Sequence, residues 1–127
     1  LQETGFLTNE QAFDLQRLPA SLIVVGGGPI GVELAQAFAR LGSRVTVVHG
    51  PERLLPKEDP EVSAAVAAAL TRDGVTLVTG ARAQRARRDG EQKVIEARQG
   101  DATLELRADA ILVALGRAPN VEGLGLE

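Results

Sequence analysis

Leu22-Ile23-Val24-Val25 runs straight into Gly26-Gly27-Gly28-Pro29-Ile30-Gly31, and this junction restricts the fold more than any other stretch of the chain. Four consecutive apolar residues, three of them β-branched, suit a short strand covered on both faces. Beyond the glycines, Ile30, Leu34, Ala37, Phe38 and Leu41 recur at helical spacing, and Gly42 suits a left-handed C-terminal cap. A strand that turns on glycines directly into a helix opens a βαβ unit, and G-x-G-x-x-G at that turn is the pattern of a dinucleotide site. In that pattern Gly26 permits the tight turn, Gly28 lets a pyrophosphate approach the backbone, and Gly31 lets the helix lie close to the sheet. The helix start adds N–H groups and the positive end of its dipole. Gly27, Pro29 and Ile30 complete the candidate binding loop. A glycine turn with a structural role alone is the plainer alternative.

The rest of the chain continues the alternation. Residues 45–48 read as a second strand, and Asp59-Pro60-Glu61 offers a capping residue, a proline at the first helical position and an early acid. That second helix runs to about residue 73 and stops at Gly74, before a third strand at 75–78. Strand, helix, strand, helix, strand implies a parallel sheet with right-handed crossovers. Beyond Gly80, residues 82–88, 94–98 and 103–107 are separated by Asp89-Gly90 and Gly100-Asp101, which predicts a three-stranded antiparallel meander. The apolar run 110–115 is a further buried strand that rejoins the parallel sheet and ends at Gly116. The expected fold class is therefore α/β, a Rossmann-like parallel sheet with a βαβαβ core and a three-stranded antiparallel β-meander before the last parallel strand. Residues 1–20 read as a connecting segment, 21–116 as the domain, and 117–127 as a return segment.

Composition narrows the chemistry. With 127 residues and 44% hydrophobic content the chain suits one core. A net charge of −3 with both signs interspersed gives no field toward nucleic acid or an anionic membrane. No apolar run approaches the roughly 20 residues of a membrane span, and no signal peptide opens the chain, so a soluble, cytoplasmic protein is expected. The absence of cysteine removes disulfides, thiolate metal sites and a cysteine nucleophile, and one histidine builds no metal site. The chain starts at Leu1 and holds no methionine, which reads as a piece of something longer. Arg82, Arg85, Arg87 and Arg88 fall within seven residues. Without interleaved aromatics and with Asp89 and Glu91 beside them, they read as a solvated edge strand, not a nucleic-acid surface.

At the end of the second strand, where an acid usually holds the adenosine ribose, stand His49 and Gly50. Without a carboxylate nothing repels a 2′-phosphate, and His49, Arg53 or Lys57 can attract one, which tips the reading toward NADPH. If the three are solvated loop residues, NADH serves as well.

The runs Gly26-Gly-Gly-Pro-Ile-Gly-Val-Glu33, Leu41-Gly-Ser-Arg-Val-Thr-Val-Val48, Arg53-Leu-Leu-Pro56, Glu58-Asp-Pro-Glu61 and Ala114-Leu-Gly-Arg-Ala-Pro-Asn120 together resemble the pyridine nucleotide-disulfide oxidoreductases, in order and over nearly the whole chain. Within that family, 7–15 and 33–42 look closest to the mercuric reductase branch, with dihydrolipoamide dehydrogenases nearby. The resemblance implies a parent enzyme, a homodimer, with an FAD domain before this segment, a dimerisation domain after it and a redox-active cysteine pair elsewhere. This chain would be its central NAD(P)H-binding domain, with no catalytic residue of its own. The resemblance places Glu33 by the nicotinamide carboxamide and Pro29 and Ile30 beside the same pocket. An exposed first-turn acid is the alternative for Glu33. It also implies backbone contacts at Leu115 and Gly116, where the family commonly has threonine at the former. A stand-alone NAD(H)-binding or redox-sensing module is the competing function, and a short-chain dehydrogenase is excluded by the absence of tyrosine.

Overall fold

The computed structural model describes residues 17–114. The elements follow as β1 (Ser21–Val25), α1 (Pro29–Leu41), β2 (Arg44–His49), α2 (Pro60–Arg72), β3 (Thr76–Thr79), β4 (Ala81–Asp89), β5 (Gln92–Gln99), β6 (Ala102–Ala108) and β7 (Ala110–Val113). The expected α/β class is the one found. Four parallel strands lie in the order β3-β2-β1-β7, and β4-β5-β6 form a separate antiparallel meander. Leu115, Gly116 and the segment 117–127 lie outside the described residues, as does most of the segment 1–20.

Strand periodicity explains the layering. On β1, Leu22 and Val24 join the core beneath the helices, and Ile23 and Val25 join the core beneath the meander. Leu112 of β7 faces the helices and Ile111 the meander in the same way. All six are nearly inaccessible to solvent, and side chains of this size contribute about 1.5–3 kcal/mol each when buried. Both faces are covered, so the strands read as unbroken apolar runs and not as alternating ones. Leu34, Ala35 and Phe38 of α1 and Leu70 of α2 close one side; Ile95, Ala97 and Ala108 of the meander close the other.

The element ends follow local chemistry. Gly42 caps α1 with φ +116°, its N–H donating to the Ala39 carbonyl (3.1 Å) and that of Ser43 to Phe38 (3.0 Å). Asp59 occupies the N-cap of α2 with Pro60 next, but its side chain makes no capping hydrogen bond, contrary to the capping role its sequence position suggests. The Val62 N–H that such a carboxylate would accept donates to the Asp59 carbonyl instead (3.0 Å), a 3₁₀-type closure of the first turn. In the meander, Asp89 pairs with Gln92, so the two-residue turn is Gly90-Glu91 and the aspartate ends the strand. The register of β4 against β5 shifts between Ala83 and Arg85, where a residue of β4 is left out of the ladder.

Candidate functional site

In strand order, the chain leaves β1 for β2 and β3 on one side and returns as β7 on the other. The carboxyl ends of β1 and β7 therefore flank a topological switch point, where open α/β sheets bind ligands. A crevice of about 640 Å³ opens there. Its floor is Val25, Val48 and Ala114, and the glycine turn from Gly26 to Pro29 forms one wall. Residues 49–51 and 55–58 form a second wall, and Ala81, Arg82 and Ala83 of β4 form a third.

Hydrogen bonds fix the glycine turn from below. Gly26 N–H donates to the Val48 carbonyl (2.8 Å), and the chain passes the turn with φ +117° at Gly26, a conformation glycine adopts without strain. Gly27 N–H donates to Nδ1 of His49 (2.9 Å), and the Gly27 carbonyl accepts from Leu55 N–H (2.9 Å). A side chain at Gly31 would drive its Cβ into the Gly26 carbonyl, so the start of α1 approaches the turn as only glycine allows. Gly28 is different: a Cβ built on it meets no protein atom within 4 Å. The fold leaves that space, and the crevice uses it. Gly28 is also the N-cap of α1 and supplies no side-chain cap, and Pro29 follows without an N–H. Among the described residues no side-chain hydrogen bond caps the positive end of the helix. A glycine that the fold does not require, at a helix start left uncapped inside a crevice, fits a pyrophosphate.

The second wall is held in an unusual shape. Leu55 has φ +49°, a left-handed conformation that a branched side chain rarely takes. Three contacts hold it: its N–H on Gly27, its carbonyl accepting from Glu58 N–H (2.9 Å), and the Ser63 hydroxyl donating to the same carbonyl (3.3 Å). Arg53 is exposed and donates through Nη2 to the carbonyls of Pro56 and Glu58, both at 2.9 Å. It braces the loop.

His49 is buried, at 7% exposure. Because Nδ1 accepts from a backbone N–H, the neutral ring carries its proton on Nε2, which lies 3.0 Å from the Arg53 carbonyl and donates to it. Burial holds its pKa below the ordinary histidine value, against a smaller upward pull from the Arg53 carbonyl.

Seven of the residues singled out in the sequence thus meet in one crevice: Gly26, Gly27, Gly28, Pro29, His49, Gly50 and Lys57. Ile30 packs at the edge of the helix-side core, and Gly31 lies buried under the turn. Glu33 is exposed one helical turn beyond Pro29, on the same side of α1, and extends the rim without lining the crevice. The sequence reading missed Arg82, which lines the crevice with Lys57 and Glu58 although it lies in the run assigned to a solvated edge. A signal existed: Arg82 follows a parallel strand by three residues, and carboxyl ends of such strands face the site. Elsewhere in that run, Arg85 and Arg87 pair with Glu96 and Arg87 also with Glu105.

The model of the pyridine nucleotide-disulphide oxidoreductase family matches residues 2–127, and the chain belongs to that family. A mercuric reductase of Bacillus cereus is 40% identical over 126 residues, which cover 99% of this chain and 20% of that protein. A dihydrolipoyl dehydrogenase of Thermus scotoductus is 40% identical over 132 residues, covering 97% of this chain and 29% of that one. Among solved structures, the HOCl-induced flavoprotein disulfide reductase RclA of Escherichia coli, a C43S mutant in its Cu(II) complex, superposes with a TM-score of 0.84 at 32% identity. That match covers 94% of this chain and 26% of the other. The chain spans less than a third of the length of each of these relatives, which are oxidoreductases by name. Among the described residues no helix is long and apolar enough to cross a membrane.

Proposed function

We propose that this chain binds NAD(P)H in the crevice at the carboxyl ends of β1, β2 and β7, and holds the nicotinamide for hydride transfer to FAD within a larger reductase. The observation that carries the reading is Gly28, the one glycine of the turn whose missing side chain the fold itself does not need. Bound there, a pyrophosphate meets the uncapped start of α1. The adenosine end then falls toward Gly50, Lys57 and Arg82, and the nicotinamide end toward Pro29 and the exposed Glu33. The nicotinamide supplies the hydride and the flavin accepts it; this chain supplies position. The family and the names of its relatives favour a parent with FAD and dimerisation domains that acts as a homodimer in the cytoplasm, passing electrons to a disulfide or a mercuric ion. In that parent, residues 21–116 form the nucleotide domain, and Leu115 and Gly116 lead back toward the FAD.

No carboxylate stands at the end of β2, which favours NADPH. Both ring nitrogens of His49 are engaged with backbone groups, and the cations that line the crevice are Lys57 and Arg82. Calorimetric titration with NADPH and NADH tests both levels. Gly28→Ala should weaken both nucleotides by about tenfold or more while leaving the unfolding midpoint in place; wild-type affinity in that variant overturns the site. The double change Lys57→Ala with Arg82→Ala should cost NADPH about tenfold and spare NADH. An equal loss for both, or none, overturns the NADPH preference.

A further inference from the structure

The imidazole of His49 joins two segments that are also linked by the hydrogen bond from Leu55 N–H to the Gly27 carbonyl. Nδ1 takes the Gly27 N–H of the glycine turn, and Nε2–H gives to the Arg53 carbonyl at the start of the loop that forms the opposite wall. The ring and Leu54 also pack tightly against the turn, since a Cβ on Gly27 would sit 2.8 Å from His49 Cγ and 2.6 Å from Leu54 Cδ2. We propose that His49 is a positioning residue that holds Gly27 and the 53–58 loop in the geometry the dinucleotide phosphates need, and that it does so only as the neutral imidazole. This rests on the dinucleotide reading of the crevice.

The chemistry of the two bonds requires that charge state. A backbone N–H only donates, so Nδ1 must keep its lone pair to receive Gly27. A proton on Nδ1 would set two donors against each other across 2.9 Å and force the turn away from the ring. The groups around the ring offer the imidazolium little compensation. The glycine turn and Thr79, its register partner on β3, bring no charge. The charged side chains of the neighbouring elements are Glu52, Arg53, Lys57, Glu58 and Asp59 on the loop and Arg82 at the start of β4. Three of these six are cations, none of the three acids is a hydrogen-bond partner of the ring, and the Arg53 guanidinium donates to the Pro56 and Glu58 carbonyls. Burial likewise favours the neutral ring. The usual acid at this position would act on the ribose directly; His49 acts through the backbone.

Because the chain contains one histidine, its ring can be followed without assignment ambiguity. The test combines nitrogen-15 NMR of that ring with calorimetric titration of NAD+, whose pyrophosphate has no proton to gain between pH 7.5 and 5. The chain should show the Nε2–H tautomer at pH 7.5. Its affinity for NAD+ should fall about tenfold as the ring protonates, with the Gly27 amide shifting in step. His49→Asn, which keeps a neutral acceptor near the Nδ1 position and cannot titrate, should bind with a flat profile over the same range. Tighter binding on acidification would mean that the imidazolium acts as a charge on the ligand, and overturns the proposal. A His49→Asn profile that parallels the wild type overturns it too. If NAD+ binds at no pH while the ring keeps its tautomer, the dinucleotide reading itself fails and takes this inference with it.

Discussion

The crevice at the carboxyl ends of the parallel strands and the outer face of the meander satisfy their polar groups in opposite ways. At the crevice, the groups that fix the glycine turn are matched to backbone atoms one by one: Gly27 N–H on His49, the His49 ring on Arg53, the Gly27 carbonyl on Leu55. The meander carries a run of exposed ion pairs, Arg85 and Arg87 on Glu96, Arg87 and Arg107 on Glu105, and Arg107 on Asp89. The first arrangement cannot exchange its partners for water without moving the turn. The second can, because every member already touches solvent. Rigidity is therefore concentrated at the crevice, where a bound phosphate needs donors fixed in advance, and the meander serves as a lid on the apolar core beneath it.

The largest effect expected from this contrast is at Gly31. Alanine there places its Cβ against the Gly26 carbonyl, a backbone atom of a turn tied at Val48 and His49, so neither partner can yield cheaply. Urea unfolding of Gly31→Ala should show a loss of about 3 kcal/mol. A midpoint near that of the wild type would show that the turn is softer than its bonds indicate, and the contrast between the two regions would fail at its strongest point.

Next in size is His49. Removing the ring with His49→Leu leaves the Gly27 N–H and the Arg53 carbonyl without their partner in a buried place, which should cost about 1–3 kcal/mol. The same residue gives the chain a pH dependence. Its folded pKa lies below the ordinary value of 6.5. Between the two values the unfolded chain binds a proton that the folded chain refuses. Stability is then complete above pH 6.5, falls as the pH drops through that window, and levels off below the folded pKa. Asp73 and Asp89 are held below 3.8, by the Gln36 hydrogen bond and the Arg107 hydrogen bond respectively, so their contribution is lost at lower pH and separates from that of His49. Thermal unfolding of wild type and His49→Asn from pH 7.5 to 4.5 should show the slope near neutrality in the wild type alone; a shared slope removes His49 as its cause.

These effects also mark how far the sequence could be read. The strand, glycine turn and first helix were legible because the β-branched run, Pro29 and Gly42 each impose a local conformation, whatever the rest of the chain does. The layering followed from β1 and β7, whose unbroken apolar runs require cover on both faces. Two parts of the crevice were not legible. Arg82 looks like its neighbours Arg85 and Arg87 in a charged strand, and the packing of β4 against β2 brings it to the site. His49 stood out as a histidine where an acid is usual, and the natural inference was a charge for a phosphate. Its hydrogen bonds to backbone groups 22 residues before and 4 residues after it depend on where two loops cross, and no spacing in the sequence encodes that.

The smallest effect should come from the meander, and it sharpens the contrast by being small. Glu105 accepts from Arg87 at 3.0 Å and Arg107 at 2.8 Å, which on distance alone rivals any bond at the crevice. Arg87 keeps Glu96 and Arg107 keeps Asp89 when Glu105 is lost, and water replaces the rest. At roughly physiological salt, where charges more than about 8 Å apart are screened, Glu105→Gln should leave the unfolding midpoint unchanged within measurement error. A slight loss should emerge only at low ionic strength. A drop as large as that of His49→Leu at both salt concentrations would mean that the ion pairs hold the meander on the sheet. The idea that this chain keeps its rigidity at the crevice would then have to be abandoned.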